Sequence, residues 1–368
     1  MSEKMEVQLA VVGGGPAGLA AALTASRLGI GVLLIDENKE LGGQLIKQTH
    51  KFFGSHSHMA SVRGIEIANR LKNDIKGDPN VTVFIDTTAV GYYENGELLL
   101  YQKSPEEKLI SCFPKAIIFA TGARENMLAF PGNDLPGVYG AGAVQTLMNV
   151  YGVLPARRIL MVGSGNIGLI VSYQLLQAGT EVAAIVEILP RIGGYIVHAS
   201  KVRRYGVPIL TRHTIIEARG KEWVEEAVIA RVGEDFKPVK GTERVLEVDA
   251  VCLAVGLSPI VELVRQAGVY TPYIPELGGL VPWHDDDMRT NLPNVFVAGD
   301  LAGIEEATTA MLEGELAALS AAEYFGIKSD EIDGMRRDRK ARLEELRASR
   351  FSEKVKKGLQ KLMTKKPR

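Results

Sequence analysis

The chain has 368 residues, 46% of them hydrophobic and 24% charged, with a formal net charge of −1. That length suits two or three domains rather than one core, and the composition excludes a disordered chain. The charge is uneven: residues 331–368 hold 14 Lys and Arg against 6 Asp and Glu, so a tail of +8 follows an acidic body of −9 that leaves no general nucleic-acid footprint.

No apolar stretch approaches the ~18 residues of a membrane span. The N-terminal apolar run leads into a glycine turn, so it reads as a strand and not a signal peptide, and the cytoplasm is the expected location. Residues 9–12 suit one buried parallel strand. The turn Gly13-Gly14-Gly15-Pro16-Ala17-Gly18 follows, then a small-residue helix over 19–28 and a strand over 32–35 that ends on Asp36. This is the G-x-G-x-x-G fingerprint of a dinucleotide site in its strand–turn–helix setting. Gly13 allows the tight turn, Gly15 lets the backbone approach a pyrophosphate, and Gly18 brings helix and strand close. The helix N-terminus offers N–H groups and partial positive charge to phosphate. Asp36 is expected to accept hydrogen bonds from an adenosine ribose.

After Leu41-Gly42-Gly43-Gln44-Leu45, the spacing of Val62, Ile65, Ile67/Ala68 and Leu71 predicts a helix over 60–75. A strand is expected over 81–85. Residues 88–93 and 97–102 read as a hairpin hinged at Asn95-Gly96. The buried run 116–120 leads into Thr121-Gly122-Ala123-Arg124. The opening pattern then returns: a strand over 158–162, the turn Gly163-Ser164-Gly165-Asn166-Ile167-Gly168, a helix over 169–178, and a strand over 182–186 ending at Glu187. Gly29 to Asp36 is seven positions and Gly179 to Glu187 eight, so the second acid arrives one residue late. Arg191 nearby suits a 2′-phosphate, which leaves NAD and NADP both open. Strands over 250–255 and 295–299 follow, the latter ending on Asp300 before an alanine-rich helix over 305–325. Asp300 reads as a ligand of a ribityl or phosphate-linked hydroxyl, or as that helix's N-cap.

The chain has two cysteines, Cys112 and Cys252, each in an apolar strand-like run. With no C-x-x-C, a redox disulfide is not expected, and both read as core residues. The pair His56-Ser57-His58 lacks nearby partners for a metal, so no metal site is expected.

GGGPAGLAAA at 13–22, ATG at 120–122, GSGNIG at 163–168 and VFVAGD at 295–300 resemble the pyridine nucleotide-disulfide oxidoreductase superfamily in its compact thioredoxin-reductase-like form. The resemblance implies an α/β fold with two Rossmann-like domains. An FAD domain in two segments (1–124 and 258–330) would flank an inserted NAD(P) domain (125–257), with a basic helical tail over 331–368. It implies FAD and NAD(H) or NADP(H) held by Gly13, Gly15, Pro16, Ala17, Gly18, Asp36, Glu37, Gly43, Gln44, Val90, Ala120, Thr121, Gly122, Gly163, Gly165, Asn166, Ile167, Gly168, Glu187, Gly299 and Asp300. Catalytic residues are unassigned. Gln44, His50 and Lys51 are candidates near the flavin ring because their segment follows the pyrophosphate turn.

A narrower resemblance lies in Phe130-Pro131-Gly132, Leu135-Pro136-Gly137-Val138, residues 141–147 and GDLAGIEEATTAMLEGELAAL at 299–319. These are similar to the alpha-type subunits of heteromeric amine and amino-acid dehydrogenases: sarcosine oxidase, opine oxidases, proline and hydroxyproline dehydrogenases, and hydrogen cyanide synthase. That implies a flavin- or iron–sulfur-bearing partner subunit and an amine or amino-acid substrate oxidised on the partner. Many such subunits carry a C-terminal cysteine cluster. This chain lacks one, so an iron–sulfur relay is expected on another polypeptide. A stand-alone NAD(P)H-dependent flavin reductase of a carrier protein, quinone or oxygen is the alternative, and a non-catalytic nucleotide-binding scaffold the third reading. In the tail, Phe351, Val355, Leu359 and Leu362/Met363 form an apolar stripe, with Arg347, Arg350, Lys354, Lys356, Lys357 and Lys361 around it. Such a helix is unstable alone and must pack on the chain's own body, on a partner or on an anionic membrane surface; it is expected to dock the subunit carrying the next redox centre, with a membrane the lesser expectation.

Overall fold

The computed structural model describes residues 3–52, 59–349 and 352–367. The pair His56 and His58 lies outside them, as do Phe53, Arg350 and Phe351. Contacts divide the chain into two compact units, one of residues 1–124 with 258–368 and the other of residues 125–257.

Unit 1 begins with β1 (Glu3–Val12), α1 (Pro16–Arg27) and β2 (Val32–Ile35). Then come α2 (Gly64–Ile75), β3 (Val81–Phe84), β4 (Thr87–Tyr92), β5 (Leu98–Gln102) and β6 (Lys108–Phe119). The expected helix over 60–75 thus starts at Gly64. Residues 61–63 instead return along Phe52, whose N–H donates to the Val62 carbonyl at 2.9 Å. The strand order is β3-β2-β1-β6-β5-β4. β1, β2, β3 and β6 pair in parallel, whereas β4 and β5 add antiparallel strands along the first half of β6. Near-continuous apolar runs such as residues 9–12 and 116–119 are fully buried, as strands covered on both faces must be. Cys112 lies inside β6, wholly buried, and burial pushes its thiol up to about 12.

A short strand, β7 (Ala123–Glu125), hands the chain to unit 2. There β8 (Val138–Gly140), α3 (Ala141–Asn149), β9 (Arg158–Val162), α4 (Asn166–Gln177), β10 (Glu181–Glu187), α5 (Ile196–Arg204) and β11 (Ile209–Thr211) follow. The strands β12 (His213–Arg219), β13 (Glu226–Arg231) and β14 (Arg244–Glu247) form a separate antiparallel sheet. With β15 (Ala250–Leu253), the parallel sheet runs β11-β10-β9-β15-β8. Cys252 sits in β15 with its thiol likewise pushed up by burial.

The return passes through β16 (Leu257–Pro259), α6 (Glu262–Gln266), β17 (Tyr273–Ile274) and β18 (Gly279–Leu280). It reaches β19 (Val295–Val297), which pairs in parallel with residues 117–119 of β6. Then come α7 (Ala307–Tyr324), α8 (Asp330–Arg347) and α9 (Glu353–Thr364). α7 lies directly on α1: a Cβ at Gly314 would sit 2.0 Å from the Ala17 carbonyl oxygen, so only glycine permits this crossing.

The tail is therefore two helices, and both pack on unit 1. Ile332 and Leu343 of α8 join the core that holds α1 and α7. Val355, Leu359 and Leu362 of α9 pack with Ile274, Leu277, Val281 and Trp283, and Gly358 lets the helix settle against Leu277. Lys361 pairs with Glu276. Of the apolar stripe, Val355, Leu359 and Leu362 are covered by the chain's own residues, because burial there satisfies an amphipathic helix without a second protein. Among the described residues, no helix is long and apolar enough to cross a membrane.

Candidate functional site

The first glycine turn is held by backbone contacts that exclude side chains. Gly13 has φ +108°, and a Cβ there would lie 2.2 Å from the Ala120 carbonyl oxygen. A Cβ at Gly18 would lie 1.7 Å from the Gly13 carbonyl oxygen, so helix and strand meet backbone to backbone. Gly15 differs. Its φ is an ordinary −76°, and its Cβ would meet only the Gly43 Cα, at 3.9 Å. Nothing inside the chain demands glycine at 15, and its backbone is open to an approaching group. Pro16 opens α1, which has no side-chain cap and no acid in its first turn, so its N–H groups and dipole are unopposed.

The second turn repeats this. Gly163 has φ +105° and abuts the Ala254 carbonyl, Gly168 abuts the Gly163 carbonyl, and a Cβ at Gly165 would meet nothing within 4 Å. α4 likewise begins without a side-chain cap or an early acid. Asn166 accepts from the Tyr195 N–H at 2.8 Å, while Ile167 beside it is exposed.

The strand-end acids brace these turns. Asp36 is 7% exposed and accepts from the Gly14 N–H at 2.6 Å and from the Asn38 N–H and side-chain amide at 2.8 and 2.9 Å. Glu187, also 7% exposed, accepts from the Ser164 N–H at 2.9 Å, the Ser164 hydroxyl at 2.6 Å and the Leu189 N–H at 3.0 Å. Asp36, expected to receive the ribose, also holds the turn: its Oδ1 accepts both Asn38 bonds and its Oδ2 accepts one, from Gly14. The solvent-facing carboxylate at that strand end is Glu37. The late arrival of Glu187 is absorbed by a β-bulge between Val182 and Ala184, so both acids fall opposite the same turn position.

Other expected residues gather around the first turn unevenly. Gly43, at φ +51°, faces Gly15 and opens a 3-10 turn bearing the exposed Gln44. Ala120 is buried against Gly13, the Thr121 hydroxyl donates to the Ile260 carbonyl at 2.8 Å, and Gly122 has φ +71°. Gly299 adjoins Ala17, its Cβ position 2.9 Å from the Ala17 Cβ. His50 is half-buried and stacked on Phe52 with ring centroids 5.9 Å apart, and Lys51 is exposed and bridged to Arg63 through the backbone. Val90 is the extra residue of a bulge between Ala89 and Gly91 and is 45% exposed.

Asp300 lies in a 3-10 turn over Gly299–Leu301 and accepts the Glu305 N–H at 3.4 Å. It is not the N-cap of α7, which is Glu306. Burial pushes its carboxyl up to about 6, helped by the nearby Glu305 charge. Behind it stands a cluster that sequence reading missed. Glu313 of α7, 3% exposed, accepts the Gly299 N–H at 3.0 Å. Arg347 of α8 reaches it at 2.6 Å and Glu305 at 2.5 Å. Burial pushes the Glu313 carboxyl up to about 8 against the opposing pull of Arg347. The available signal was an acid inside the apolar run AMLEGELAAL. Among the described residues, no group of three or more His, Cys, Asp or Glu could hold a metal.

A family model described as pyridine nucleotide-disulphide oxidoreductase matches residues 7–314. The sarcosine oxidase subunit alpha of Rhizobium meliloti is 31% identical over 321 residues, 82% of this chain but 29% of that protein. The hydrogen cyanide synthase subunit HcnB of Pseudomonas protegens is 25% identical over 350 residues, 90% of this chain and 74% of that protein. The chain thus spans less than a third of the first relative's length. In fold, it is similar to L-proline dehydrogenase from P. horikoshii (TM-score 0.71, 23% identity, 94% of this chain and 60% of that one). It is equally similar to T. acidophilum thioredoxin reductase (TM-score 0.71, 21% identity, 88% of this chain and 99% of that one).

Proposed function

Because this chain belongs to the pyridine nucleotide-disulphide oxidoreductase family, and is therefore an FAD-dependent oxidoreductase, we propose that it is the electron-transferring subunit of a heteromeric amine or amino-acid dehydrogenase. The observation that carries this reading is its 31% identity to a sarcosine oxidase subunit across 82% of its own length. In this reading, residues 1–124 and 258–330 make the FAD domain and residues 125–257 the NAD(P) domain.

The residues fit such groups. Gly15 and Gly165 leave open the space a Cβ would fill, in front of helix ends with unopposed N–H groups. Gly13, Gly18, Ala120 and Gly43 shape the first turn around that space, Glu37 offers the ribose its free carboxylate, and Asp300 offers a further acceptor. Asp36 and Glu187 also hold Gly14 and Ser164, so that the turns keep their form. Bound FAD would supply the two-electron acceptor. Gln44, exposed beside Gly43, is the candidate closest in the chain to the turn, ahead of His50 and Lys51.

The pair of open glycine turns in one chain favours a second reading, a stand-alone reductase that takes electrons from NADH or NADPH. Co-expression with the neighbouring genes separates the two. The subunit reading expects a yellow complex with an oxidase partner, in which sarcosine, proline or an opine bleaches the flavin only when the partner is present. Rapid bleaching of the isolated chain by NADH or NADPH, with no partner needed, overturns that reading in favour of the reductase. A colourless chain that cannot be reconstituted with FAD overturns both.

A further inference from the structure

We propose that Arg347 is a positioning residue for the first dinucleotide site, and that the C-terminal helix α8 is part of that site's wall instead of a free arm. The inference rests on the reading of unit 1 as the FAD domain. Its basis is a short chain of buried contacts. Arg347 Nη2 lies 2.6 Å from Glu313 Oε1, and the other Glu313 oxygen accepts the Gly299 N–H at 3.0 Å. Gly299 is one bond from Asp300 and packs on Ala17, the second residue of α1, while Gly314, next to Glu313, presses on the Ala17 backbone. A guanidinium at the end of α8 is thereby linked through one carboxylate to the acid turn, and through the α1–α7 crossing to the first turn of α1.

The charges explain why an arginine stands there. Glu305 and Glu313 are both nearly sealed from solvent, with side-chain exposures of 10% and 4%, and Asp300 and His284 lie close by. Arg347 is the cation that reaches both glutamates, its Nε and Nη2 bonded to Glu305 and its Nη2 also to Glu313. A planar guanidinium can hold two carboxylates in fixed geometry, which an ammonium cannot. Without it, two buried acids face one another beneath a turn that must receive an anionic dinucleotide, and losing one partner of a buried pair is costly.

Arg336 supplies the control. It ties the same helix to the same body through Asp287 and Glu323, but touches neither Gly299 nor Glu313. FAD titrations of the full chain, followed by the visible flavin band, would compare wild type with Arg347→Gln, Arg347→Lys, Glu313→Gln and Arg336→Gln, each with its melting curve. Arg347→Gln is expected to weaken FAD binding by about tenfold or more, Arg347→Lys by less. Adding Glu313→Gln to Arg347→Gln is expected to recover part of the loss, because the uncompensated acid is gone. Arg336→Gln is expected to lower the melting point and leave FAD affinity within about twofold of wild type. The proposal is overturned if Arg347→Gln and Arg347→Lys both bind FAD as wild type does. It is equally overturned if Arg336→Gln and Arg347→Gln lose affinity in proportion to their loss of stability. A wild-type chain that binds no FAD breaks the functional reading itself, a result distinguishable from either.

Discussion

The two glycine turns of this chain are built to one plan and set in different surroundings. Each has a left-handed glycine pressed on a neighbouring carbonyl (Gly13 on Ala120, Gly163 on Ala254) and a glycine where helix meets strand. Each has a buried acid holding the second turn residue. Around the first, the chain returns after residue 258 to add β19, the Gly299–Asp300 turn, α7 and the tail helices. Around the second, it adds an antiparallel sheet, β12-β13-β14. The shared parts are those that backbone sterics require of any such turn.

The steric core of the plan should break hardest. A Cβ at position 18 meets a backbone oxygen at 1.7 Å, and one at 168 meets its counterpart at 2.2 Å. Gly18→Ala is expected to cost about 3 kcal/mol or more and Gly168→Ala less, as urea unfolding would show. Equal costs would mean that the two crossings are not as differently packed as their distances indicate. Gly15→Ala and Gly165→Ala come next and should separate binding from folding. Both positions are open, so melting points should hold within the error of a surface change. Gly15→Ala should cost FAD affinity by about tenfold or more, and Gly165→Ala affinity for NADH or NADPH. Loss of stability without loss of binding would refute the ligand rationale for these glycines.

The acid braces are the next layer down. Asp36→Asn and Glu187→Gln each weaken charge-assisted bonds to a buried turn, at a cost of about 1.5–3 kcal/mol. Ser164→Gly makes the second turn match Gly14 of the first. It removes a hydroxyl that donates to Glu187 at 2.6 Å and accepts from the Gly193 N–H at 3.1 Å, for about 1 kcal/mol. A change at 164 as large as one at 187 would show the hydroxyl, not the acid, to be the brace.

The surroundings of the first turn add a pH dependence of their own. Asp300 and Glu313 have folded-state carboxyls raised by burial to about 6 and about 8. A carboxyl raised on folding favours the folded state when protonated. Its contribution is full below the ordinary carboxylate range and is lost as pH rises through the folded value. Above about pH 6.5, where buried His284 and His198 no longer titrate against it, the FAD-free protein should therefore melt progressively lower up to about pH 8, and Glu313→Gln should flatten that fall. A melting point that rises across this window would overturn the assignment.

Most of the plan was legible in the residues because it is local. Strand, turn and helix are contiguous at 9–36 and 158–187, and apolar runs that are buried on both faces read directly. What sequence missed depends on long-range partners. The helix expected from residue 60 starts at Gly64, since residues 61–63 are drawn into pairing with the Phe52 segment. That Asp36 also braces the turn depends on Gly14 and Asn38, which the turn brings to it. The tail's stripe is amphipathic whatever covers it, and periodicity cannot say that the cover is Leu277 and Trp283. Arg347 and Glu313 are 34 residues apart, on helices whose packing no short motif encodes.

The smallest effect tests the comparison most directly. Val32 lies opposite Leu9 and Val182 opposite Ile159, each four residues before its turn's first glycine, so the two units begin in step. From there Ile35 closes the first pairing and Val186 the second, one residue later, and the surplus is taken up at Ala183. Deleting Ala183 should restore an unbroken register and leave Glu187 opposite Ser164, as Asp36 stands opposite Gly14. Ala183 is half-buried and carries only a methyl group, so little packing is lost, and the expected change is within about 1 kcal/mol. Bulges also add local twist and re-aim the strand residues beyond them. If the deletion unfolds unit 2, or keeps the fold but loses NADH and NADPH binding, the bulge is a working part of the second site. In that case the two turns are less alike than their shared contacts make them.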